Sequence, residues 1–346
     1  MILADEAIVT VYSDFTAILL LFGLITISTR FKSKINERRL FYIMCILIIF
    51  DSIGSLGSHA MHYQTAEWCY TVEILSKTFM EISELFVIYF WLLFVDYKLF
   101  ESKDHLKRKF KGLFIVMVAF SILLLINPFT NIMFIIDRTD MWFVPTPLYH
   151  CMEIFEVTCV LLTFYVIYSY RNRKNKLHFF KVWPMMLPIA IGVIVSLITY
   201  YSAIPLGLAI GTLGLYFSMM ETWKYEERDT GFYNKAYLDK LVDIAGTNGY
   251  DYRSAICIET KEDHLFEEAL KKELPADKKI IHLKEGLFVF FSENAKMNFL
   301  NMVGQMLTES TKEYEDRHNN VKIDLKITNY VRKKDEEASD FIKRFV

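Results

Sequence analysis

The chain has 346 residues, of which 53% are hydrophobic and 16% aromatic, and its formal net charge at pH 7 is only −2. A charge so close to zero argues for no particular partner, and nucleic acid is not expected as one. Five cysteines in a chain of this length do not form the framework of a small disulfide-rich protein. Composition changes sharply along the chain, from long apolar runs to charged, alternating segments. The change predicts a membrane domain at 1–222, a helical connector at 223–230 and a second domain at 231–346.

Seven apolar runs approach the roughly 20 residues that a membrane-spanning helix requires. They are residues 8–29, 40–59, 71–95, 112–131, 148–170, 182–201 and 205–222. The first is interpreted as a span, because it lacks the basic start and small-residue cleavage site of a signal peptide. The runs therefore predict an all-α bundle of seven transmembrane helices.

Lysine and arginine are distributed unequally between the two ends of these runs. The connections at 30–39, 96–111 and 171–181 carry sixteen basic residues, whereas the alternate connections carry only Arg138. Positively charged short loops stay in the cytoplasm. The pattern predicts a multi-pass protein of the inner (plasma) membrane, with its N-terminus outside and its C-terminus in the cytoplasm.

Ionisable side chains at membrane depth mark a candidate site, because they are costly there and usually face the bundle interior or a wet cavity. The third run carries four of them at spacings of four, four and three, which is one stripe of a helix. The second run carries one acid, and the fifth carries three ionisable residues at spacings of three. The candidate ligand-binding residues are Asp51, Glu73, Lys77, Glu81, Glu84, His150, Glu153 and Glu156.

Two interpretations of these residues remain open. In the first they line an outward-facing pocket, with His59 and His62, for a cationic or polar ligand or for a metal ion. In the second, Lys77 pairs with Glu81 or Asp51 and the rest form structural hydrogen bonds between helices. The excess of acids over one lysine supports the pocket, whereas no local histidine spacing supports a metal site.

Two cysteines are expected at the outer ends of the third and fifth runs. Cys69 and Cys151 could bridge there in an oxidising compartment. A bridge also needs a short Cα–Cα distance that the sequence does not supply. We therefore expect two free thiols.

The sequence of the second domain predicts helices and strands in the order αβαββαβα. The predicted elements are a helix at 234–246, a strand at 252–260, a helix at 263–274, two strands within 278–293, a helix at 294–314, a strand at 321–331 and a helix at 335–345. A tight turn at Glu285–Gly286 joins the paired strands. This α+β order suits a mostly antiparallel sheet covered by helices, of the ferredoxin-like or polymerase-palm type.

Two stretches of this domain carry a family resemblance. Residues 227–236, ERDTGFYNKA, resemble the opening D-x-L-T-G-L-x-N-R-R of the GGDEF domain, the catalytic domain of diguanylate cyclases. Residues 280–293, IIHLKEGLFVFFSE, resemble its R-Y-G-G-D-E-F hairpin. The resemblance to the GGDEF domain covers about 120 residues, and with the seven apolar runs before it the whole chain resembles a bacterial seven-transmembrane sensor protein with a C-terminal GGDEF-like domain. The resemblance implies the fold of an enzyme family whose members join two GTP molecules, one per subunit, into cyclic di-GMP.

The residues that this chemistry requires are mostly replaced. The vestigial positions are Lys284, Glu285, Gly286, Leu287 and Phe288 at the signature, and Cys257 and Glu259 at the metal pair. Phosphoryl transfer of this kind needs hard carboxylate ligands for Mg²⁺, and at most one carboxylate remains at the pair. The domain is thus a degenerate diguanylate cyclase, for which we expect no catalytic residue, cofactor or metal.

The sequence therefore predicts a signalling receptor embedded in membrane lipid. A small-molecule or peptide cue would bind the bundle, and the GGDEF-like domain would respond as a homodimer, through a cytoplasmic protein partner or by nucleotide binding without turnover. Two alternatives stay open: a divergent nucleotide-processing enzyme acting through Glu259 and Glu285, and a transporter or channel with a regulatory tail.

Overall fold

The computed structural model describes most of the chain, in two compact units. The described residues are 2–29, 35–61, 66–100, 110–137, 143–171, 183–199, 204–227, 232–248, 252–262, 264–267, 269, 280–292, 297–318, 322–333 and 335–346. The first unit holds the helices up to Met219, and the second contains Met220–Val346.

The first unit is built from helices and one short hairpin. Its helices are α1 (Ile2–Ser28), α2 (Ile35–Met61), α3 (Glu67–Phe100), α4 (Lys111–Thr130), α5 (Pro147–Arg171), α6 (Trp183–Thr199) and α7 (Ile204–Trp223), the last of which continues into the second unit. The hairpin joins α4 to α5 and consists of the antiparallel strands β1 (Phe134–Ile136) and β2 (Phe143–Pro145).

Six of these helices are long and apolar enough to cross a membrane: α1, α2, α3, α4, α5 and α7. Helix α6 corresponds to the predicted run 182–201 but has 17 residues in the described part of the chain. At 1.5 Å per residue it covers about 26 Å, less than the roughly 30 Å of a hydrocarbon core. The chain is therefore a multi-pass membrane protein with six candidate spans among its described residues.

Helix α3 is the central helix of the membrane unit, and α2 lies closely against it. In its most apolar window α3 is 61% buried, against 22% for α4. A Cβ added at Gly54 would lie 2.9 Å from the backbone oxygen of Ser76, and one at Gly57 would lie 2.5 Å from the Ser76 hydroxyl oxygen. Small residues at such positions let two helix backbones approach, as is common between membrane helices.

A buried ion pair joins the same two helices near the start of α2 and the end of α3. Lys98 Nζ donates a hydrogen bond of 2.5 Å to Glu37 Oε1. The side chains of Lys98 and Glu37 are only 8% and 3% exposed. Because each charge depends on the other in this setting, the pair fixes the register of α2 against α3.

The second unit contains a four-stranded antiparallel sheet. Its elements are α8 (Lys235–Asn248), β3 (Ser254–Thr260), β4 (Ile280–Lys284), β5 (Leu287–Ser292), α9 (Met297–Arg317), β6 (Leu325–Val331) and α10 (Ala338–Lys343). The strand order is β4-β5-β3-β6. The predicted helix at 263–274 is helical where it is described, at 264–267 and at 269. The observed order of elements agrees with the predicted one.

Helices cover both faces of this sheet because β3 is apolar on both sides. Ala255 and Cys257 belong to the core formed with α8 and α10. Ile256 and Ile258 belong to the opposite core, formed with α9 and with Phe266 of the helical segment 264–267. Successive side chains of a strand point to opposite faces, so one short strand supplies both cores.

The connector predicted as helical at 223–230 is helical only at Trp223 among its described residues. Helix α7 ends at Trp223, and residues 224–225 form a turn. Asn234 replaces the next helical turn: its backbone N–H donates to the Tyr225 oxygen and its side-chain amide donates to the Lys224 oxygen, both at 2.9 Å. Because the carbonyl oxygens of Lys224 and Tyr225 already accept hydrogen bonds from Asn234, they do not require another helical turn. Residues 228–230 lie outside the described residues.

The side of α9 that faces the core is a narrow stripe. Leu300, Val303 and Leu307 are buried, whereas Met306 is 40% exposed. Residues 300, 303, 307 and 314 follow the helical repeat closely, and position 306 falls beside their stripe. The last strand begins later than predicted, at Leu325 rather than at residue 321.

We expect Gly54→Leu to destabilise the membrane unit, because the added side chain meets the α3 backbone. Overpacking of this kind costs about 1–3 kcal/mol. The measurement is the unfolding temperature of the full-length protein in lipid nanodiscs. Gly23→Leu is the matched control, since nothing lies within 4 Å of the Cβ position at Gly23. Equal unfolding temperatures for the two variants would contradict the close approach.

We expect Lys98→Met to cost about 3–5 kcal/mol, because it leaves the buried Glu37 carboxylate without its ammonium partner. The double variant Lys98→Met/Glu37→Gln removes both charges and should recover most of that loss. The free energies of unfolding of the single and double variants test this. A double variant as unstable as Lys98→Met alone would show that the pair has no such role.

Candidate functional site

Carboxyl groups from four helices converge inside the membrane unit. Asp51 is close enough to interact electrostatically with Glu84, Asp14, Glu81 and Lys77. The carboxyl group of Glu156 is similarly close to those of Glu84, Glu81, Glu153 and Asp51. We call these six residues the acidic cluster: Asp14 of α1, Asp51 of α2, Glu81 and Glu84 of α3, and Glu153 and Glu156 of α5.

Glu81 is the anchored member of the acidic cluster. One carboxylate oxygen lies 3.0 Å from Lys77 Nζ, and the other accepts a 2.9 Å hydrogen bond from the Tyr149 hydroxyl. Glu81 itself is only 3% exposed. Lys77 therefore pairs with Glu81, one of the two partners that the sequence suggested, and Tyr149 ties α5 to α3.

The β1–β2 hairpin packs aromatic rings against this anchor. The Phe143 ring lies 4.8 Å from Lys77 Nζ and 5.1 Å from the Tyr149 ring. Buried Asn127 fixes the approach to the hairpin, because its Oδ1 accepts hydrogen bonds from the backbone N–H groups of Met133 and Phe134. The hairpin thus gives the Lys77–Glu81 pair an ordered aromatic cover.

Polar atoms near the acidic cluster lack hydrogen-bond partners among the described residues. They are Oε1 of Glu156 and the hydroxyl of Ser52, which neighbours Asp51 in α2. A buried polar atom without a partner costs about 1–3 kcal/mol. A donor such as an ammonium group, entering the cluster, would satisfy a carboxylate oxygen of this kind.

The remaining predicted residues lie at the margins of the site. His150 Nδ1 lies 2.7 Å from Glu153 Oε2, and both side chains are about half exposed, at 57% and 49%. Glu73 is buried on the predicted stripe, eight residues or about 12 Å along α3 from Glu81. His59 Nδ1 lies 2.9 Å from the Ser55 backbone oxygen within α2, and His62 lies outside the described residues.

Sequence reasoning missed three members of this site. Asp14 is an ionisable residue inside the first apolar run, so the rule that selected Asp51 also applies to it. Tyr149 is the second residue of the fifth run and Phe143 precedes that run, and no local pattern distinguishes them from other aromatic residues. Their contacts with Glu81 and Lys77 come from long-range packing.

The two outer cysteines are free thiols. Cys69 is buried and Cys151 is exposed. The structure therefore contains no bridge between them, and the expectation of free thiols agrees with it.

In the second unit the positions that the sequence matched to the cyclase signature and metal pair lie side by side. The register of β3 and β5 pairs Glu259 with Leu287 and Cys257 with Val289. The Thr260 N–H donates a 2.9 Å hydrogen bond to the oxygen of Gly286, which sits in the predicted turn with a φ of 78°. The end of β3 thus adjoins the hairpin turn, while the Phe288 side chain is fully buried in the core.

The metal-pair positions carry groups unsuited to Mg²⁺. The Glu259 carboxylate accepts a 2.9 Å hydrogen bond from Lys326 Nζ on β6, and that hydrogen bond, with the carboxylate charge, raises the pKa of Lys326. Burial raises the pKa of the Cys257 thiol, which disfavours the thiolate that would bind a metal. The one remaining carboxylate is therefore paired with a lysine.

A different group of residues brings metal-ligating atoms together in the second unit. Among the described residues, Glu227, Glu267 and His282 place one ligand atom each within 4.8 Å of the others. None of the three belongs to the signature or to the metal pair of the cyclase resemblance.

Comparison of the chain with protein-family models and with curated proteins found no match. Function is therefore inferred from the residues and geometry of the protein itself.

Proposed function

We propose that this protein is a membrane signalling receptor whose acidic cluster binds a cationic or polar cue. The observation that carries the proposal is the convergence of six carboxyl groups from four membrane helices around one lysine. Carboxyl groups crowded into apolar surroundings are costly in any protonation state, and they persist where they serve a ligand or an ion.

The positions of the cluster residues fit a signalling role. A cue held by α1, α2, α3 and α5 at once would bind more tightly to one arrangement of these helices than to another. A ligand shifts a conformational equilibrium only through such a difference in affinity. The aromatic cover at Phe143 and Tyr149 supplies a surface on which a cation can stack.

In this proposal the bundle has seven spans, with α6 as the sixth. The N-terminus is outside and the second unit lies in the cytoplasm, which the distribution of lysine and arginine supports. Helix α7 runs directly into the second unit along the chain. Movement of α7 would then be the route by which cue binding reaches the cytoplasmic side.

The second unit would act as a GGDEF-like output domain of ferredoxin-like or palm type without cyclase activity. The strand order β4-β5-β3-β6 and the hairpin beside the end of β3 support this fold. The Glu259–Lys326 pair and buried Cys257 support the loss of catalysis. The output would be a changed protein contact, made by a dimer of this domain, or nucleotide binding without turnover.

A cation-binding cluster and a purely structural one differ in how they respond to loss of a carboxylate. If the cluster binds a cation, Glu84→Gln should raise the stability of the ligand-free protein by about 0.5–2 kcal/mol, because functional sites are often optimised at the expense of stability. The same variant should lose the stabilisation that an added cation gives. The measurement is the unfolding temperature in nanodiscs, with and without millimolar spermidine as a probe of amine-bearing cations.

Glu67→Gln is the control for this experiment. Glu67 is an exposed acid at the start of α3 and lies outside the acidic cluster. It should leave both the unfolding temperature and the spermidine response unchanged. Destabilisation by Glu84→Gln with no response of the wild type to any amine probe would favour the structural interpretation.

We expect no cyclic di-GMP from the full-length protein in nanodiscs at millimolar GTP, with either Mg²⁺ or Mn²⁺. At the metal pair Glu259 is paired with Lys326 and Cys257 is a buried thiol. Product formation is measured by chromatography, with an active diguanylate cyclase assayed in parallel. Synthesis of cyclic di-GMP would make the protein a divergent enzyme, whereas GTP binding without turnover would support a nucleotide-sensing output.

A further inference from the structure

Three segments of the second unit bring metal-ligating side chains to one point. Glu227 follows α7, Glu267 lies in the helical segment 264–267, and His282 is on β4. His282 Nδ1 lies 2.8 Å from Glu227 Oε1 and 3.8 Å from Glu267 Oε1. We propose that Glu227, Glu267 and His282 form a binding site for a divalent transition-metal ion of the Zn²⁺ class.

The distances suit such an ion. Zn²⁺ binds nitrogen and oxygen ligands at about 2.0–2.2 Å in tetrahedral geometry, which separates neighbouring ligand atoms by roughly 3.3–3.6 Å. The observed separations of 2.8 and 3.8 Å lie on either side of that range. Adjustment of each carboxylate by about half an ångström, within side-chain rotation, would place both around an ion bound to Nδ1.

The site is shielded and its ligands are positioned by their surroundings. The side chains of Glu267, His282 and Glu227 are 8%, 15% and 30% exposed. The His282 ring stacks on Phe288, with centroids 4.5 Å apart and planes 13° apart. Backbone hydrogen bonds link Glu227 to β4 through residues 232 and 233. The Glu227 N–H donates to the Phe232 oxygen, and the His282 N–H on β4 donates to the Tyr233 oxygen.

The ligand set selects the kind of ion. One imidazole with two carboxylates favours Zn²⁺ and its transition-metal neighbours, whereas Mg²⁺ prefers oxygen ligands alone. Two carboxylates also balance the two positive charges of the ion. His264 is fully exposed, with its Nδ1 3.8 Å from Glu267 Oε2, so it or a water molecule would complete the coordination.

A bound ion would join the segment after α7 to the sheet and to the helical segment 264–267. In the structure His282 Nδ1 is hydrogen-bonded to Glu227 and lies 3.8 Å from Glu267, so an ion between them would bridge all three segments. Metal occupancy would therefore stiffen the start of the second unit, since metal-binding free energy at such a site adds to folding free energy. This inference is independent of the cue proposed for the acidic cluster.

The test is titration of Zn²⁺ into EDTA-treated, dialysed full-length protein in nanodiscs, against a fluorescent zinc indicator. We expect one site, and at least about tenfold weaker binding in His282→Asn and in Glu267→Gln. Asparagine keeps a donor near the position of Nδ1, so His282→Asn should unfold at the wild-type temperature in EDTA. It should also lose the rise of several degrees that Zn²⁺ gives the wild type.

His318→Asn is the matched control. His318 also stacks on an aromatic ring, that of Tyr314, and its Nδ1 contacts the Tyr314 backbone oxygen, but it lies outside the site. It should bind Zn²⁺ as the wild type does. Co²⁺ bound at the site should show visible d–d bands without thiolate charge-transfer bands, since no cysteine is among the ligands.

Two results would overturn the proposal. One is the absence of Zn²⁺ binding by the wild type at micromolar metal. The other is unchanged Zn²⁺ affinity in both His282→Asn and Glu267→Gln, which would place any bound ion elsewhere. If His282→Asn unfolds early in EDTA, Glu267→Gln alone decides between these outcomes.

Discussion

The close approach of α2 to α3 is the constraint on which the membrane unit depends. Gly54 and Gly57 remove the side chains that would collide with Ser76, so the two backbones pack directly together. At the far end of the same contact, Lys98 and Glu37 form a buried pair that fixes how the helices are aligned. This alignment also sets the position of Asp51 relative to the acids of α3.

Around this contact the membrane unit contains buried polar atoms that have no hydrogen-bond partner among the described residues. A structural role requires each buried carboxylate to find a partner, as Glu81 does with Lys77 and Tyr149. Oε1 of Glu156 and the Ser52 hydroxyl find none among the described residues. Incomplete satisfaction of this kind is expected at sites that serve a ligand, because residues selected for binding need not stabilise the empty protein.

In the second unit, most of the residues that form the cores differ from those to which the resemblance assigns catalysis. Its two cores are formed by apolar residues of the strands and helices, such as Ile256 and Phe288, and none of them requires an active site. Of the positions to which the resemblance assigns catalysis, Glu259 lies near the end of β3, and Glu285 and Gly286 form the adjoining turn, outside both cores, whereas Cys257 and Phe288 belong to the cores. Glu259 is paired with Lys326 on the neighbouring strand β6.

The sequence by itself determined the features that have a local period. Runs of about 20 apolar residues predicted the membrane helices, the spacing of Lys77, Glu81 and Glu84 predicted one stripe, and two short segments on either side of Glu285–Gly286 predicted two strands and their turn. Each of these follows from the geometry of a single helix or strand. The connector after Trp223 was the exception. Helix α7 ends there because the Lys224 oxygen accepts a hydrogen bond from the side chain of Asn234, which lies ten residues further along the chain.

Only the tertiary structure decided which residues meet across elements. It joined Asp14 and Tyr149 to the acidic cluster, set Lys326 opposite Glu259, and assembled Glu227, Glu267 and His282. The partners in these contacts are separated by 15 to 68 residues along the chain, from His282 with Glu267 to Tyr149 with Glu81. Helical and strand periodicity holds no information at that separation, so packing of whole elements decides such contacts.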